Sequence, residues 1–238
     1  MITKNQIKLI KSLRLKKNRV KHKLFVVEGN KNVAELLDSN YKVHDLFATI
    51  DWIAENPKRS ALKVNSSELA RISNQKNPNQ VLALVETKDH VTPNDNGIIL
   101  VLDNVKDPGN MGTIIRMCDW FGVESIVCSV HTAECYNPKV VQSSMGSVFR
   151  VNVIYTQLLD YLKCVKSPIY CACIDGKDVK QISFPRNLHL VMGNEANGIR
   201  KEIIQLTANK VKIENIRGKA ESLNVAVATS ILLHEMCG

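Results

Sequence analysis

No apolar run approaches the roughly 18 residues needed to span a bilayer. The longest near-apolar stretch, Val225 to Leu233, is broken by Thr229 and Ser230. The seven cysteines (118, 128, 135, 164, 171, 173 and 237) contain no C-x-x-C pair, so zinc-ribbon and dithiol redox chemistry lack their ligand pattern, and the odd count points to reduced thiols. Cys171 and Cys173 are two apart on an expected strand and read as core packing. The histidines at 22, 44, 90, 131, 189 and 234 share no ligand spacing, so no metal is expected. No apolar h-region follows the Lys-rich start, so no secretory signal is expected and the cytoplasm is the expected compartment. Internal repeats and low-complexity tracts are absent too. Acidic residues are missing from the first 23 positions, which hold nine Lys and Arg.

The 238 residues are 45% hydrophobic and 23% charged, the composition of a soluble globular chain with one large or two ordinary domains. The net charge of +9 comes from 32 basic against 23 acidic residues. Without the N-terminal segment the balance is 23 against 23. The basic excess therefore belongs to one end and predicts a polyanionic partner there, with Lys4, Lys8, Lys11, Arg14, Lys16, Lys17 and Arg19 as its candidate contacts. Ile7, Ile10 and Leu13 recur at helical spacing among these cations, predicting one amphipathic helix over residues 3–17. The same helix could simply pack its apolar side and leave the lysines as a solvated face.

A strand at Leu24 to Val27, a helix near Lys31 to Leu37, a strand near Val43 to Ala48, short elements to Ile72 and a strand at Val81 to Val85 make a small α/β unit, residues 1–88. Residues 89–97, with Pro93, Asn94, Asp95, Asn96 and Gly97, read as a linker. Residues 98–238 then alternate. Strands are expected at Ile98 to Leu102, Ser125 to Cys128, Ile169 to Cys173, Leu188 to Met192 and Lys210 to Ile213. Helices are expected at Asn110 to Phe121, Lys139 to Met145, Thr156 to Cys164, Ile199 to Leu206 and Ser222 to Glu235. This alternation predicts a parallel sheet covered by helices on both faces, with ligands at the carboxyl ends of its strands. Trp52 and Trp120 are taken as structural.

Three polar clusters follow strands. The first runs from Asp103 to Gly112 into a helix carrying Arg116; Gly109 and Gly112 permit close backbone approach, and a helix start offers free N–H groups. It carries neither the G-x-G-x-x-G of a dinucleotide fold nor a P-loop, and could be a plain turn. The second, Met192 to Gly198, could be a loop in which Glu195 caps the next helix. In the third, Glu221 to Ala228, Ser222 could be an N-cap, which would place Asn224 one turn into an apolar helix, where it is poorly suited unless it has a partner.

Together, Asn110-x-Gly112-x-x-x-Arg116, Gly193-x-Glu195-x-x-Gly198 and Ser222-Leu223-Asn224-Val225-x-x-Ala228 resemble the three motifs of the SpoU-type, TrmH-like RNA 2′-O-ribose methyltransferases of the SPOUT class. Residues 137–147 resemble that family's stretch between the first two motifs. One departure is that Ile213 is followed by Glu214-Asn215 where the family usually has Pro, which bears on the shape of the cofactor loop. The resemblance implies an α/β fold whose parallel sheet carries a C-terminal trefoil knot, preceded by a small α/β RNA-binding domain, in a homodimer. It also implies S-adenosylmethionine held largely by main chain near Met192, Gly193, Ile213, Leu223 and Asn224. The substrate would be structured RNA, ribosomal or transfer. Arg116 would be the central catalytic group, with Asn110, Glu195, Ser222 and Asn224 in support and Glu195 orienting Arg116. A guanidinium is a reluctant base, so stabilisation of a nascent alkoxide and clamping of a phosphate suit Arg116 better. A catalytically silent knotted RNA-binding protein is the alternative.

Overall fold

The computed structural model describes residues 2–89, 91–93 and 95–237; His90 and Asn94, both within the expected linker, lie outside the described residues. The chain forms two compact units. One comprises the residues up to Asp89 together with Glu134–Phe149, and the other comprises the segment ending at Ala133 and everything from Arg150 onward. The stretch 134–149, expected to belong with the C-terminal domain, is therefore part of the N-terminal unit.

The N-terminal unit begins with α1 (Lys4–Ser12), opened by a capping box in which the Thr3 hydroxyl accepts from Gln6 N and the Gln6 carbonyl accepts from Thr3 N at 2.9 Å. A second helix, α2 (Lys16–His22), follows after a break. The single helix expected over residues 3–17 is thus two. Leu15 adopts an extended conformation before α2, and the Arg19 guanidinium reaches back to the carbonyls of Leu13 and Arg14 at 2.8 and 2.9 Å. Those carbonyls are satisfied by a side chain rather than by the next helical turn. Ile10 and Leu13 are fully buried beside Leu24, Val26, Phe47 and Leu84, with Ile7 packed against that core.

Next come β1 (Leu24–Glu28), α3 (Asn30–Leu37), β2 (Val43–Ala48), α4 (Ile50–Glu55), β3 (Leu62–Lys63), α5 (Ser66–Ile72) and β4 (Val81–Glu86). Among the described residues these strands form a four-stranded sheet in the order β1-β4-β2-β3, antiparallel except for β2 and β3. Trp52, on α4, is buried as expected.

The other unit is built on β5 (Ile98–Leu102), α6 (Pro108–Phe121) and β6 (Ser125–Ser129); α7 (Pro138–Ser144) then packs on β1 of the N-terminal unit. It continues with β7 (Asn152–Thr156), α8 (Leu158–Cys164), β8 (Ile169–Asp178), β9 (Leu188–Met192), α9 (Lys201–Ile204), β10 (Lys210–Lys212) and α10 (Val225–Cys237). Among its described residues the sheet has six strands in the order β10-β8-β9-β5-β6-β7, all parallel. β7 gave no sequence signal because it is an edge strand, only half-buried along most of its length. Likewise β8 runs past Cys173 into an exposed half that pairs with β10 through a register shift. From β5 the chain moves one way to β6 and β7, then returns on the other side through β8 and β9. The carboxyl end of β5 therefore lies at the topological switch point, where open α/β sheets bind ligands.

Candidate active site

Parallel pairing aligns Leu102 with both Met192 and Cys128, so the loops after β5, β6 and β9 leave the sheet side by side. Asp103 N donates to Met192 O at 2.9 Å. Its fully buried carboxylate accepts from Arg200 N and Arg200 Nε, each at 2.9 Å, tying the end of β5 to the loop after β9. Asn104 follows at φ 59°, in the left-handed region that a non-glycine residue enters only when held. Its N–H donates to Ser129 Oγ, its amide oxygen accepts from that same hydroxyl, both at 3.0 Å, and its carbonyl accepts from Asn194 Nδ2 at 2.7 Å.

Asp107 caps α6 by accepting from Asn110 N at 2.8 Å, with Pro108 in the first turn and Gly122 closing the helix in a left-handed conformation. This is the Pro-start, Gly-stop arrangement. In the next loop the Asn194 side chain accepts from Ala196 N and Asn197 N, and Asn194 and Gly198 pair as a bridge. Gly193 is obligatory. A Cβ there would lie 2.3 Å from Gly198 C.

These loops bring the three motifs together. Asn224 Nδ2 donates to Asn110 Oδ1 at 3.0 Å, and Asn110 Nδ2 donates to Glu195 Oε1 at 3.0 Å. An ionised carboxylate only accepts, so Glu195 fixes which way the Asn110 amide faces, and Asn110 in turn fixes Asn224. The Asn224 oxygen is then directed to Ala226 N and Val227 N, at 2.9 and 3.3 Å. Asn224 is therefore the N-cap of α10. The expected helix from Ser222 starts three residues later, and Ser222 and Leu223 lie exposed in the preceding loop.

Residues 97–234 match the SpoU rRNA Methylase family, and residues 4–83 match the MRM3-like substrate binding domain. The chain belongs to the SpoU rRNA methylase family. It is 29% identical over 243 residues to the 23S rRNA (guanosine(2553)-2′-O)-methyltransferase RlmP of Bacillus subtilis, covering 99% of this chain and 97% of that one. A TrmH-family RNA methyltransferase structure from Porphyromonas gingivalis superimposes with a TM-score of 0.90 at 34% identity, covering 99% and 98% of the two chains. An AdoMet-bound rRNA methyltransferase from Sinorhizobium meliloti gives 0.87 at 29% identity, covering 99% and 95%.

In this SpoU protein Arg116 is exposed on α6, and among the described residues no carboxylate pairs with it. The expectation that Glu195 orients Arg116 is corrected: its two oxygens go to Asn110 and Asn194. Asp103 and Asn104 open the first polar cluster but were given no role in it, and Ser129 and Arg200 were not singled out in the sequence. Their roles depend on neighbouring parallel strands, which no local spacing reveals. Burial pushes the Cys171 thiol up to about 12 and the Cys118 thiol higher still, so neither offers a thiolate nucleophile at neutral pH.

The residues present fit S-adenosylmethionine. Gly193 lets the Gly198 and Ile199 main chain close against it, so the loop after β9 is built from backbone groups rather than side chains. Met192 is buried at the end of β9, Ile213 is half-buried after β10, and Ile216 and Leu223 expose apolar side chains in the loop between β10 and α10, suited to the faces of an adenine.

In the N-terminal unit Lys4, Lys8, Lys11, Arg14, Lys16 and Lys17 are exposed. Arg19 is not. It is 2% exposed and paired with Glu134, so its charge is spent inside the unit and it is withdrawn as a substrate contact.

Proposed function

We propose that this protein transfers a methyl group from S-adenosylmethionine to a ribose 2′-hydroxyl of large-subunit ribosomal RNA, as a homodimer with the C-terminal trefoil knot of its family. The Asn224–Asn110–Glu195 chain carries the reading, because it joins three motifs distant in sequence into one polar array at the strand ends. Relatives named as 23S rRNA 2′-O-methyltransferases, from Bacillus subtilis and Streptomyces viridochromogenes, support the choice of substrate.

S-adenosylmethionine supplies the electrophilic methyl of a sulfonium. A ribose hydroxyl is a weak nucleophile, so the chain must position it and stabilise the charge that develops on its oxygen. Arg116, with no carboxylate to neutralise it among the described residues, serves that charge and the adjacent phosphate. Asn110 and Asn224, locked in orientation by Glu195, hold the hydroxyl and its ring.

Dimer formation is supported by the outer stripe of α6. Thr113, Arg116 and Trp120 are three and four residues apart, hence on one helical face, and all are exposed. Trp120, expected to be structural, is 81% exposed, and Val227 on the neighbouring α10 is 49% exposed. Covering them with a second copy would bring Arg116 to the interface. Mapping 2′-O-methyl groups in ribosomal RNA from a strain lacking this gene tests the activity: one missing site restored by the wild-type gene is expected, and an unchanged map refutes it. Trp120→Glu should yield monomers in sedimentation.

A further inference from the structure

The N-terminal unit contains a cleft of about 470 Å³ that none of the three motifs touches, although the stretch 137–147 between the first two contributes to it; it is lined by Arg14, Glu28, Asn74, Gln75, Lys139 and Gln142, with Val26 and Val141 also facing it. That volume is within the ~300–1,000 Å³ of small-ligand pockets. The Glu28 charge is consumed internally, since its carboxylate accepts from Ser73 Oγ, from Asn74 N at 2.9 Å and from Asn74 Nδ2 at 2.8 Å. Arg14 is held at the rim by Asn74 Oδ1 at 2.5 Å and Ser73 O at 2.8 Å.

Gln75 and Gln142 belong to a set of linked side-chain amides that extends behind the cleft wall. Asn79 Nδ2 donates to Gln75 Oε1 at 3.0 Å, Gln75 Nε2 donates to Gln142 Oε1 at 2.8 Å, and Asn32 Nδ2 approaches the same oxygen at 3.4 Å. The Gln142 carbonyl is thus doubly used, while its amide N–H groups have no acceptor among the described residues. Beside it the buried Asn32 Oδ1 meets no donor among the described residues. A buried polar atom without a partner is uncommon and calls for an explanation. Asn32 Oδ1 lies behind the lining residues rather than among them, so what the amide set offers to the cleft is the unused Gln142 N–H groups, next to Arg14 and Lys139.

We propose that this cleft binds one nucleotide of the RNA substrate, its base edge read by Gln75, Gln142 and the neighbouring amides and its phosphate held by Arg14 and Lys139. Carboxamides pair with base edges because they carry a donor and an acceptor together, and single-stranded RNA is read along those edges. RNA is favoured over a peptide because Arg14 belongs to a segment, residues 1–23, that carries nine Lys and Arg and no Asp or Glu. The proposal rests on the function proposed above. It also accounts for the membership of 134–149 in this unit, since Lys139 and Gln142 complete a wall that the substrate binding domain match, ending at residue 83, does not contain.

The test uses full-length protein, S-adenosylmethionine and in vitro transcribed 23S ribosomal RNA. Gln75→Ala/Gln142→Ala should raise the KM for RNA about tenfold, the effect of losing a pair of neutral hydrogen bonds, with cofactor affinity unchanged. Lys139→Glu, at an exposed position, should do the same and serves if the double variant melts early. A KM within about twofold of wild type in folded variants would overturn the cleft while leaving the function standing, and would point to a protein or peptide ligand instead. Wild-type protein that neither retains nor methylates the RNA would refute the function and the cleft with it.

Discussion

Asn224 does two jobs with one amide, and they can be separated. Its oxygen caps α10 and its nitrogen reaches Asn110. Losing an N-cap costs about 1 kcal/mol, and losing a solvent-accessible neutral hydrogen bond costs about 0.5–1 kcal/mol more. Asn224→Ala should therefore destabilise the C-terminal unit by about 1.5–2 kcal/mol, roughly 3–8 °C in Tm for a protein of this size. Asn224→Ser keeps a capping oxygen and loses the reach to Asn110, so it should melt within about 1 kcal/mol of wild type and still be slow. Asn224→Asp keeps the cap as well. Its carboxylate, however, faces the Asn110 oxygen and would turn that amide over, presenting an oxygen to Glu195 and breaking the second link. Melting curves beside single-turnover methyl transfer at saturating cofactor decide the matter. A wild-type single-turnover rate in Asn224→Ser would show that Asn224 is a cap and nothing more, and the reasoning from the three-motif chain would fail.

Arg116→Ala should abolish turnover while changing cofactor affinity by no more than a few-fold and stability by no more than about 0.5 kcal/mol, because the residue is exposed; calorimetry showing lost cofactor binding would make Arg116 structural. Replacing Lys11, Lys16 and Lys17 by Gln should lower the slope of log affinity for RNA against log salt by about 2, each phosphate contact contributing about 0.7–0.9; an unchanged slope removes this face from the RNA. Arg19→Gln should instead destabilise the N-terminal unit by about 3–5 kcal/mol, because it leaves Glu134 without its buried partner, as a urea titration would show. His189 is buried between Ser167 Oγ at 2.8 Å and Tyr161 OH at 2.9 Å, and burial holds its pKa below the usual value despite the opposing Asp95 carboxylate. The unfolded chain therefore takes up the proton first, so stability is full above about pH 6.5 and is lost as pH falls below it; a urea midpoint insensitive to pH between 7.5 and 5.5 would refute this.

The parallel sheet was legible because β5 is a short, uniformly apolar run and β9 is one interrupted only by His189, each bounded by turn residues, whereas the half-exposed β7 and the exposed second half of β8 gave no such signal. The motif residues were legible as types in order. What could not be read is their pairing. Nothing in the local sequence says that Asn224 caps a helix rather than lying within it, since Ser222 is an equally good capping residue and the apolar pattern begins just beyond both. The decision comes from Asn110, 114 positions away. Arg19 is the converse case. Its sequence surroundings are rich in exposed lysines and contain no acid, and its burial follows from Glu134, which is brought near by the return of residues 134–149 to the N-terminal unit.

The polarity of the amide chain also bears on what Arg116 is for. Had Glu195 oriented Arg116, the site would contain a neutralised ion pair, and a developing alkoxide would find a guanidinium already screened at contact distance. The structure spends Glu195 differently, on two neutral amides, Asn110 and Asn194. Neutral donors satisfy the carboxylate without cancelling any positive charge, while the buried Asp103 is matched by Arg200. Glu195 and Asp103 are thus both satisfied without Arg116. In the function proposed above its charge goes to the substrate: a guanidinium with no carboxylate partner among the described residues would stabilise negative charge there more effectively than one that must first leave a carboxylate.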